Sequence, residues 1–239
     1  MRIPEGPDAE RPHSPNGAHC HHIQGTSSAF ETTPSMTPSP ASWLAAADTL
    51  LRPLYSEPHR AYHNTAHVEA LLGHLRTHQH HAQDPLAIAL AIWFHDAIYD
   101  PLRGDNEERS ARLAHDTLRA WRCSDSLVRS VESKVRATAG HTWTDGDPDT
   151  ALFLDLDLSI LGAAPEVYQR YTEQIAHEYA WVPPEMYRAR RAAVLQDFLN
   201  RPTLYFTPAL RALWEAPARL NLQRELAHLV NQPQPAADS

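Results

Sequence analysis

The chain has 239 residues, of which 42% are hydrophobic, so it can bury the core of one sizeable domain, or of two small ones at most. Its formal net charge of −8 argues against a nucleic-acid polymer as the main partner, because a phosphate backbone usually requires a basic face. Two cysteines are too few for a disulfide framework, and no apolar run reaches membrane length. We therefore expect a cytoplasmic protein that makes no membrane contact.

Both ends of the chain have the composition of disordered tails. Residues 1–40 are rich in Pro, Ser, Thr and Gly and lack an apolar period, and residues 232–239 are similar. Between them, residues 41–231 show helical periodicity, which predicts one all-α domain. The predicted helices span residues 41–54, 64–79, 85–96, 105–121, 124–139, 150–161, 165–180, 183–199 and 208–230.

The second predicted helix carries the first candidate ligands. Its apolar stripe consists of Val68, Leu71, Leu72 and Leu75. His63 and His67 are four residues apart at the start of this helix, so their side chains share one helical face. His67 also borders the apolar stripe, and we expect its imidazole to point toward the core.

The third predicted helix is the most apolar part of the chain. Every residue from 86 to 94 is apolar, and such a helix, too short for a bilayer, belongs at the centre of a soluble protein. Asp84 and Pro85 are suited to be its N-cap and first residue. The helix stops at His95 and Asp96, and burying a charge is costly unless it is paired or binds a metal. These adjacent side chains therefore indicate a metal site on a rigid support.

The segment DNEERSA, which follows the central helix, is acidic. Asp105 is predicted to cap the next helix, with Glu108 at the capping-box position. Glu107 is a candidate general base, or a group that orients the attacking water. The alternative is that this acidic cluster only caps the helix and faces solvent.

The segment ALFLDLDLSILG carries Asp155 and Asp157 among apolar residues. Its alternation would suit a short edge strand, but the apolar residues occupy both faces and the neighbouring segments are helical, so we predict a buried helix. Residues two apart on a helix point about 200° away from each other. Only one of the two carboxylates should therefore reach a given site.

Four candidate ligands now come from three distant stretches, and they are His67, His95, Asp96 and one aspartate of the late segment, Asp157 or Asp155. Two imidazoles and two carboxylates, with positions left open for water and substrate, suit a divalent metal ion. Mn, Fe, Co, Ni, Zn and Mg all remain candidates. The sequence therefore predicts one divalent ion without choosing its identity.

The ordered set His67, His95-Asp96 and Asp157 matches the H…HD…D signature of the HD-domain superfamily. Further stretches resemble the branch described as predicted metal-dependent HD phosphohydrolases, namely AYHNTAHV, AIWFHDAIYD, DNEERSA, LDLDLSILG and ARLNLQREL. The similarity covers residues 43–230 and implies a single HD-domain helical bundle around the buried central helix. In HD proteins the final aspartate precedes a large apolar residue, as Asp157 does here, so the resemblance favours Asp157 over Asp155.

The resemblance also implies hydrolysis of a small phosphate ester or nucleotide by a metal-activated water. In this reading Asp96 both binds the metal and orients the water. Arginine forks match phosphate oxygens, so Arg60 and Arg191 are predicted substrate contacts, with a surface ion pair as the alternative for each. The full set of predicted substrate-binding residues is Arg60, His63, Asn64, His141 and Arg191. The alternative for His63 and Asn64 is a contact to the free nitrogen of a metal ligand, and the alternative for His141 is a second metal.

Two other functions stay open on sequence grounds. One is a metal-stabilised nucleotide-binding or regulatory HD module that does not turn over its ligand. The other is a two-iron HD oxygenase, which needs more His and carboxylate ligands around the HD pair than the sequence offers. A second metal would require His115, whose spacing does not fit, and the chain could form a homo-oligomer.

Overall fold

The computed structural model describes residues 39–144 and 146–231, and this part of the chain consists of helices without any strand. The α-helices are α1 (Pro40–Leu51), α2 (Thr65–His78), α3 (Pro85–Phe94), α4 (Asn106–Ala120), α5 (Asp125–Ala137), α6 (Pro148–Asp157), α7 (Pro165–Glu178), α8 (Pro184–Asn200) and α9 (Pro208–Asn231). Short 3-10 helices lie at Leu54–Ser56, Gln79–His81 and Leu158–Gly162. The predicted tails lie outside the described residues except at 39–40, where Ser39 caps α1.

The all-helical prediction is confirmed, and each predicted helix is present with its ends shifted by a few residues. The largest shift is in ALFLDLDLSILG, where α6 ends at Asp157 and the chain continues as a 3-10 helix. The strand alternative for this segment is wrong, because its apolar residues are buried on every side of a helix.

Helix α3 lies in the interior as its composition predicts. All residues from Ala87 to Phe94 are buried, and the helix packs against α1, α2, α4, α5 and α6. The side chain of Asp84 accepts a hydrogen bond from the backbone N–H of Ala87, and Pro85 occupies the first turn. Because α3 is packed on all sides by other helices, its C-terminal end has a fixed position, and His95 is the C-cap at this end.

The predicted capping box at the start of α4 is wrong. Asp105 occupies the N-cap position, but its carboxylate pairs with the guanidinium of Arg103 and does not cap the helix. Glu108 instead binds Arg112 one turn later and Arg136 on α5. Arginine partners have therefore displaced the local backbone contacts that the sequence pattern predicts.

The 3-10 helix at Leu158–Gly162 packs closely against α9 through Gly162. A Cβ atom added to Gly162 would lie 2.7 Å from Cβ and 3.1 Å from Cα of Trp214. We expect Gly162→Ala to lower the free energy of unfolding by about 1–3 kcal/mol, because the backbone of α9 must move. Denaturant unfolding measures this change.

The matched control for this prediction is Gly73→Ala, in the interior of α2. There the nearest atom to a new Cβ is the flexible end of Arg76 at 3.7 Å, so alanine should stabilise the helix by about 0.5–1 kcal/mol. Opposite signs for the two variants are the expected outcome. Equal effects would mean that the contact between Gly162 and Trp214 is not tight.

No helix among the described residues combines the length and the apolarity needed to cross a membrane.

Candidate metal centre

Three helix ends meet at one buried point. His67 lies in the first turn of α2, His95 caps the C-terminus of α3, and Asp157 is the last residue of α6. Their donor atoms all lie within 4.8 Å of one another, and the three residues are buried. Within the described part of the chain, this His-His-Asp group is the one that could hold a metal ion.

The distances between the donor atoms are those of neighbouring ligands on a single ion. The Nε2 atoms of His67 and His95 are 3.2 Å apart, and Oδ1 of Asp157 lies 3.3 Å from the first and 3.5 Å from the second. Metal–ligand bonds of about 2.1 Å place neighbouring ligand atoms about 3.0–3.4 Å apart in octahedral or tetrahedral geometry. The group therefore fits a divalent ion without large rearrangement.

The orientation of His95 is fixed by its own helix. Its Nδ1 lies 2.8 Å from the carbonyl oxygen of Ile92, a group that can only accept a hydrogen bond. Nδ1 must therefore carry a proton, and Nε2 is the ring nitrogen that faces His67 and Asp157. Such a contact is typical of histidines that bind metals through the other nitrogen.

The two aspartates of α6 point in opposite directions, as the helical geometry predicts. Asp157 faces the imidazoles of His67 and His95. Asp155 instead accepts hydrogen bonds from the backbone N–H groups of Phe206 and Thr207, just before α9. Burial raises the pKa of Asp155 to about 6 despite these two donors. The carboxylate of Asp155 therefore holds the backbone before α9 and does not reach the group of His67, His95 and Asp157, called the metal group below.

Asp96 and His141 flank the three-residue group. Oδ2 of Asp96 lies 3.1 Å from Nε2 of His95. Nε2 of His141 lies 2.8 Å from Oδ2 of Asp157, on the side away from His67.

The turn that carries His141 is held by Arg201. His141 has a backbone φ of 46°, and Arg201 donates hydrogen bonds to the carbonyl oxygens of Gly140 and His141. Arg201 thus stabilises the turn that aims His141 at Asp157.

The charges of the site favour a cation at its centre. Burial opposes a charged imidazole, but the carboxylates of Asp96 and Asp157 raise the pKa of His95 well above its usual range. Burial also opposes the charge of Asp157, yet His95, His141 and His67 hold its pKa well below the usual value. For His67 and His141 burial dominates and lowers the pKa. The two carboxylates therefore favour positive charge where the ring nitrogens converge.

A cavity of about 430 Å³ opens beside the metal group, within the size range of small-molecule sites. Six of the sequence-predicted site residues line it, namely His63, His67, Asp96, Glu107, His141 and Asp157. Two arginines that the sequence analysis did not select, Arg103 and Arg201, also line it. Part of its wall is aromatic, with Tyr62, Tyr171 and Phe198.

Arg60 and Arg191, two of the predicted substrate contacts, are not among the residues that line this cavity. The Arg60 guanidinium is buried and donates to the backbone oxygens of His63, Asp96 and Ala97. Arg191 is completely buried and forms a two-point ion pair with Glu225. Arg60 therefore ties the turn before α2 to the residues after α3, and it also pairs with the exposed carboxylate of Glu57. Arg191 ties α8 to α9 through an ion pair that is buried and does not lie on the surface.

Asn64, another of the predicted substrate contacts, has a structural role. Its side chain accepts a hydrogen bond from the N–H of Ala66 and donates one to the carbonyl oxygen of Ala61, which makes it the N-cap of α2. This cap starts the helix at the turn that presents His67.

His63 lines the cavity, and its Nδ1 lies at hydrogen-bonding distance, 2.6 Å, from Oε2 of Glu178 on α7. Glu178 is not among the residues predicted from the sequence, although the sequence does contain a signal for it. It occupies the buried stripe of α7 with Tyr168, Tyr171 and Ile175, at helical spacing. A carboxylate on an apolar stripe indicates a buried polar contact, but its partner 115 residues away cannot be read from the stripe.

Glu178 should make the stability of the protein depend on pH. Burial raises its pKa, but the imidazole of His63 and the surrounding hydrogen-bond donors outweigh burial and lower the pKa to about 2. Since the folded pKa lies below the reference value of 4.5, the stabilisation is complete above about pH 4.5 and is lost as pH falls toward 2. Between pH 6 and pH 3 the metal-depleted protein should lose about 2 kcal/mol through this group.

Urea unfolding of the metal-depleted wild type and Glu178→Gln at pH 6 and pH 3 measures this contribution. The variant should be less stable at pH 6, and the gap between the two proteins should narrow by about 2 kcal/mol at pH 3. A constant gap across this range would show that Glu178 titrates normally in the folded protein.

The chain shows no match to any protein-family model, to any curated protein or to any solved structure with which it was compared.

Proposed function

We propose that the protein is a metal-dependent phosphohydrolase that acts on a small phosphate ester or nucleotide. One observation carries the proposal: His67, His95 and Asp157, from three distant parts of the chain, converge at ligand spacing, and His67 and Asp157 line a substrate-sized cavity. The resemblance of the same residues to the H…HD…D signature supports it further. A purely structural metal site would need no such cavity, because structural sites are closed.

The residues have distinct tasks in this proposal. His67, His95 and Asp157 would hold the ion, with Asp96 as the fourth protein ligand beside His95. When bound, a divalent ion supplies water of lowered pKa and offsets the negative charge that develops on phosphoryl oxygens. Glu107 lines the same cavity and is the candidate acid–base group. Native metals consistent with this mixed ligand set are Mn, Fe, Co, Ni, Zn and Mg.

The arginines in the cavity wall are suited to the phosphate end of a substrate. Arg103 and Arg201 line the cavity, and Arg201 keeps its guanidinium over the ring of Phe198 at 4.2 Å from the centroid. They replace Arg60 and Arg191 as the candidate phosphate contacts. The aromatic residues Tyr62 and Tyr171 would then contact the organic part of the substrate.

The test is a hydrolysis screen with the protein loaded in turn with each candidate metal. Nucleotides, sugar phosphates and p-nitrophenyl phosphate are incubated with wild type and with His95→Ala, and product formation is measured together with bound metal. We expect the wild type to hydrolyse at least one compound and His95→Ala to lose both metal and activity. Thermal stabilisation by a nucleotide without product would instead identify a binding or regulatory module.

A further inference from the structure

Glu178 is surrounded by hydrogen-bond donors on both of its carboxylate oxygens. Oε1 accepts from the backbone N–H groups of Ala61, Tyr62 and His63 at 2.7–3.0 Å. Oε2 lies 2.6 Å from Nδ1 of His63 and accepts from the hydroxyl of Tyr99 at 2.6 Å. The carboxylate thus fixes the backbone of the turn before α2 with one oxygen and the His63 side chain with the other.

The ring of His63 is held tightly in a single orientation. It stacks on Tyr99 with centroids 4.5 Å apart, and the ring of Tyr62 packs edge-on against it at 5.0 Å. Because an ionised carboxylate only accepts hydrogen bonds, Nδ1 of His63 carries the proton that it donates to Glu178. Nε2, on the other side of Cε1 from Nδ1, is directed away from Glu178, and His63 lines the cavity beside the His67–His95–Asp157 group.

We propose that Glu178 is a positioning residue that holds Nε2 of His63 in the cavity as an acceptor for the water consumed in hydrolysis. This inference rests on the proposed function. His63 is close enough to act there, since its ring centroid lies 6.0 Å from that of the ligand His67. A water molecule has two O–H bonds, so His63 adds to the contacts of Asp96 or Glu107 and does not replace them.

A purely structural role does not account for this arrangement. Anchoring the turn before α2 requires only the oxygen that accepts the three backbone N–H groups. The second oxygen is directed at a histidine that is itself on the cavity wall. Burying a carboxylate without donors is costly, but a single tyrosine hydroxyl would already satisfy that oxygen.

The kinetic test uses His63→Ala, Glu178→Gln and the double variant, with p-nitrophenyl phosphate as the probe substrate. We expect kcat to fall about 100-fold in His63→Ala and at least about 10-fold in Glu178→Gln, with KM changed less than about threefold, because orientation of water is lost. Since Glu178 acts through His63, the double variant should be no slower than His63→Ala. Multiplicative losses, or losses carried by KM, would overturn the proposal.

Tyr99→Phe is the matched control within the same network. It removes one hydrogen bond to Glu178 but keeps both the aromatic stack on His63 and the Glu178–His63 contact. Its kcat should fall much less than that of Glu178→Gln, and bound metal should stay at one ion per chain in all of these variants. A loss equal to that of Glu178→Gln would show that general loosening of the turn causes the effect.

Nitrogen-15 NMR of the histidine side chains gives a readout that does not depend on activity. In metal-loaded wild type the His63 ring should be protonated at Nδ1, and in Glu178→Gln this preference should be lost. A wild-type ring protonated only at Nε2 would overturn the proposal. A wild type that binds metal but hydrolyses nothing would contradict the proposed function, and with it the role of His63 as an acceptor for the hydrolytic water. The NMR measurement would still decide whether Glu178 positions the ring of His63.

Discussion

Asp157→Asn is expected to abolish metal binding while the helical fold persists. The carboxylate is within 3.5 Å of both ligand imidazoles and also accepts from His141, so its loss removes a ligand and the charge that attracts a cation. Outer contacts to metal ligands are typically worth 10–100-fold in affinity, so loss of a direct ligand should cost at least about 100-fold. Elemental analysis of the purified variant and isothermal titration with Zn²⁺ or Mn²⁺ measure this change.

Asp155→Asn is a closely matched control for this prediction. The residue is on the same helix, two positions earlier, and it binds the backbone of Phe206 and Thr207 instead of the metal group. We expect normal metal content and a stability loss of about 1–2 kcal/mol, comparable to the loss of a helix cap. Metal retained by Asp157→Asn, or lost equally from a folded Asp155→Asn, would contradict the assignment.

Arg191→Met is expected to be strongly destabilising. Arg191 donates to Glu225 from Nε at 2.7 Å and from Nη2 at 3.0 Å, and both side chains are almost fully buried. Removing the guanidinium leaves the carboxylate in the interior with the hydroxyl of Tyr168 as its remaining partner among the described residues. Breaking a buried pair in this way typically costs about 3–5 kcal/mol, which denaturant unfolding would detect.

The double variant Arg191→Met/Glu225→Met distinguishes the loss of an ion pair from the loss of packing. Replacing both charges by apolar side chains removes the uncompensated carboxylate, so the double variant should be more stable than Arg191→Met. Reduced hydrolysis by Arg191→Met with unchanged unfolding would instead support the phosphate contact that the sequence predicts for this arginine.

Secondary structure was predictable because its signals are local. The apolar run of α3, with Asp84 and Pro85 before it, defines a buried helix without reference to any other segment. The opposite directions of Asp155 and Asp157 also follow from helical geometry alone. The prediction of a capping box at α4 was wrong because Arg136, a distant partner on α5, binds Glu108. Local preference is a weak guide wherever a charged side chain can reach another helix.

The candidate metal-binding group was more predictable than the set of residues that line the cavity beside it. A histidine or aspartate at the edge of an apolar run already indicates a buried polar site, and His67, His95 and Asp157 each have this setting. An arginine gives no such signal, because its long side chain can reach solvent, substrate or a carboxylate. Arg191 pairs with Glu225, which lies 34 residues later in the chain. This partner becomes evident only from the packing of α8 on α9.

Anomalous diffraction from crystals of the full chain grown with Mn²⁺ or Zn²⁺ tests the central claim most directly. We predict a strong peak bonded to Nε2 of His67, Nε2 of His95 and Oδ1 of Asp157, and its loss in Asp157→Asn. The described chain offers another histidine cluster for comparison, since the rings of His78, His80 and His81 lie 4.0–6.5 Å apart. Metal bound only at that cluster, with no density between His67, His95 and Asp157, would contradict the account.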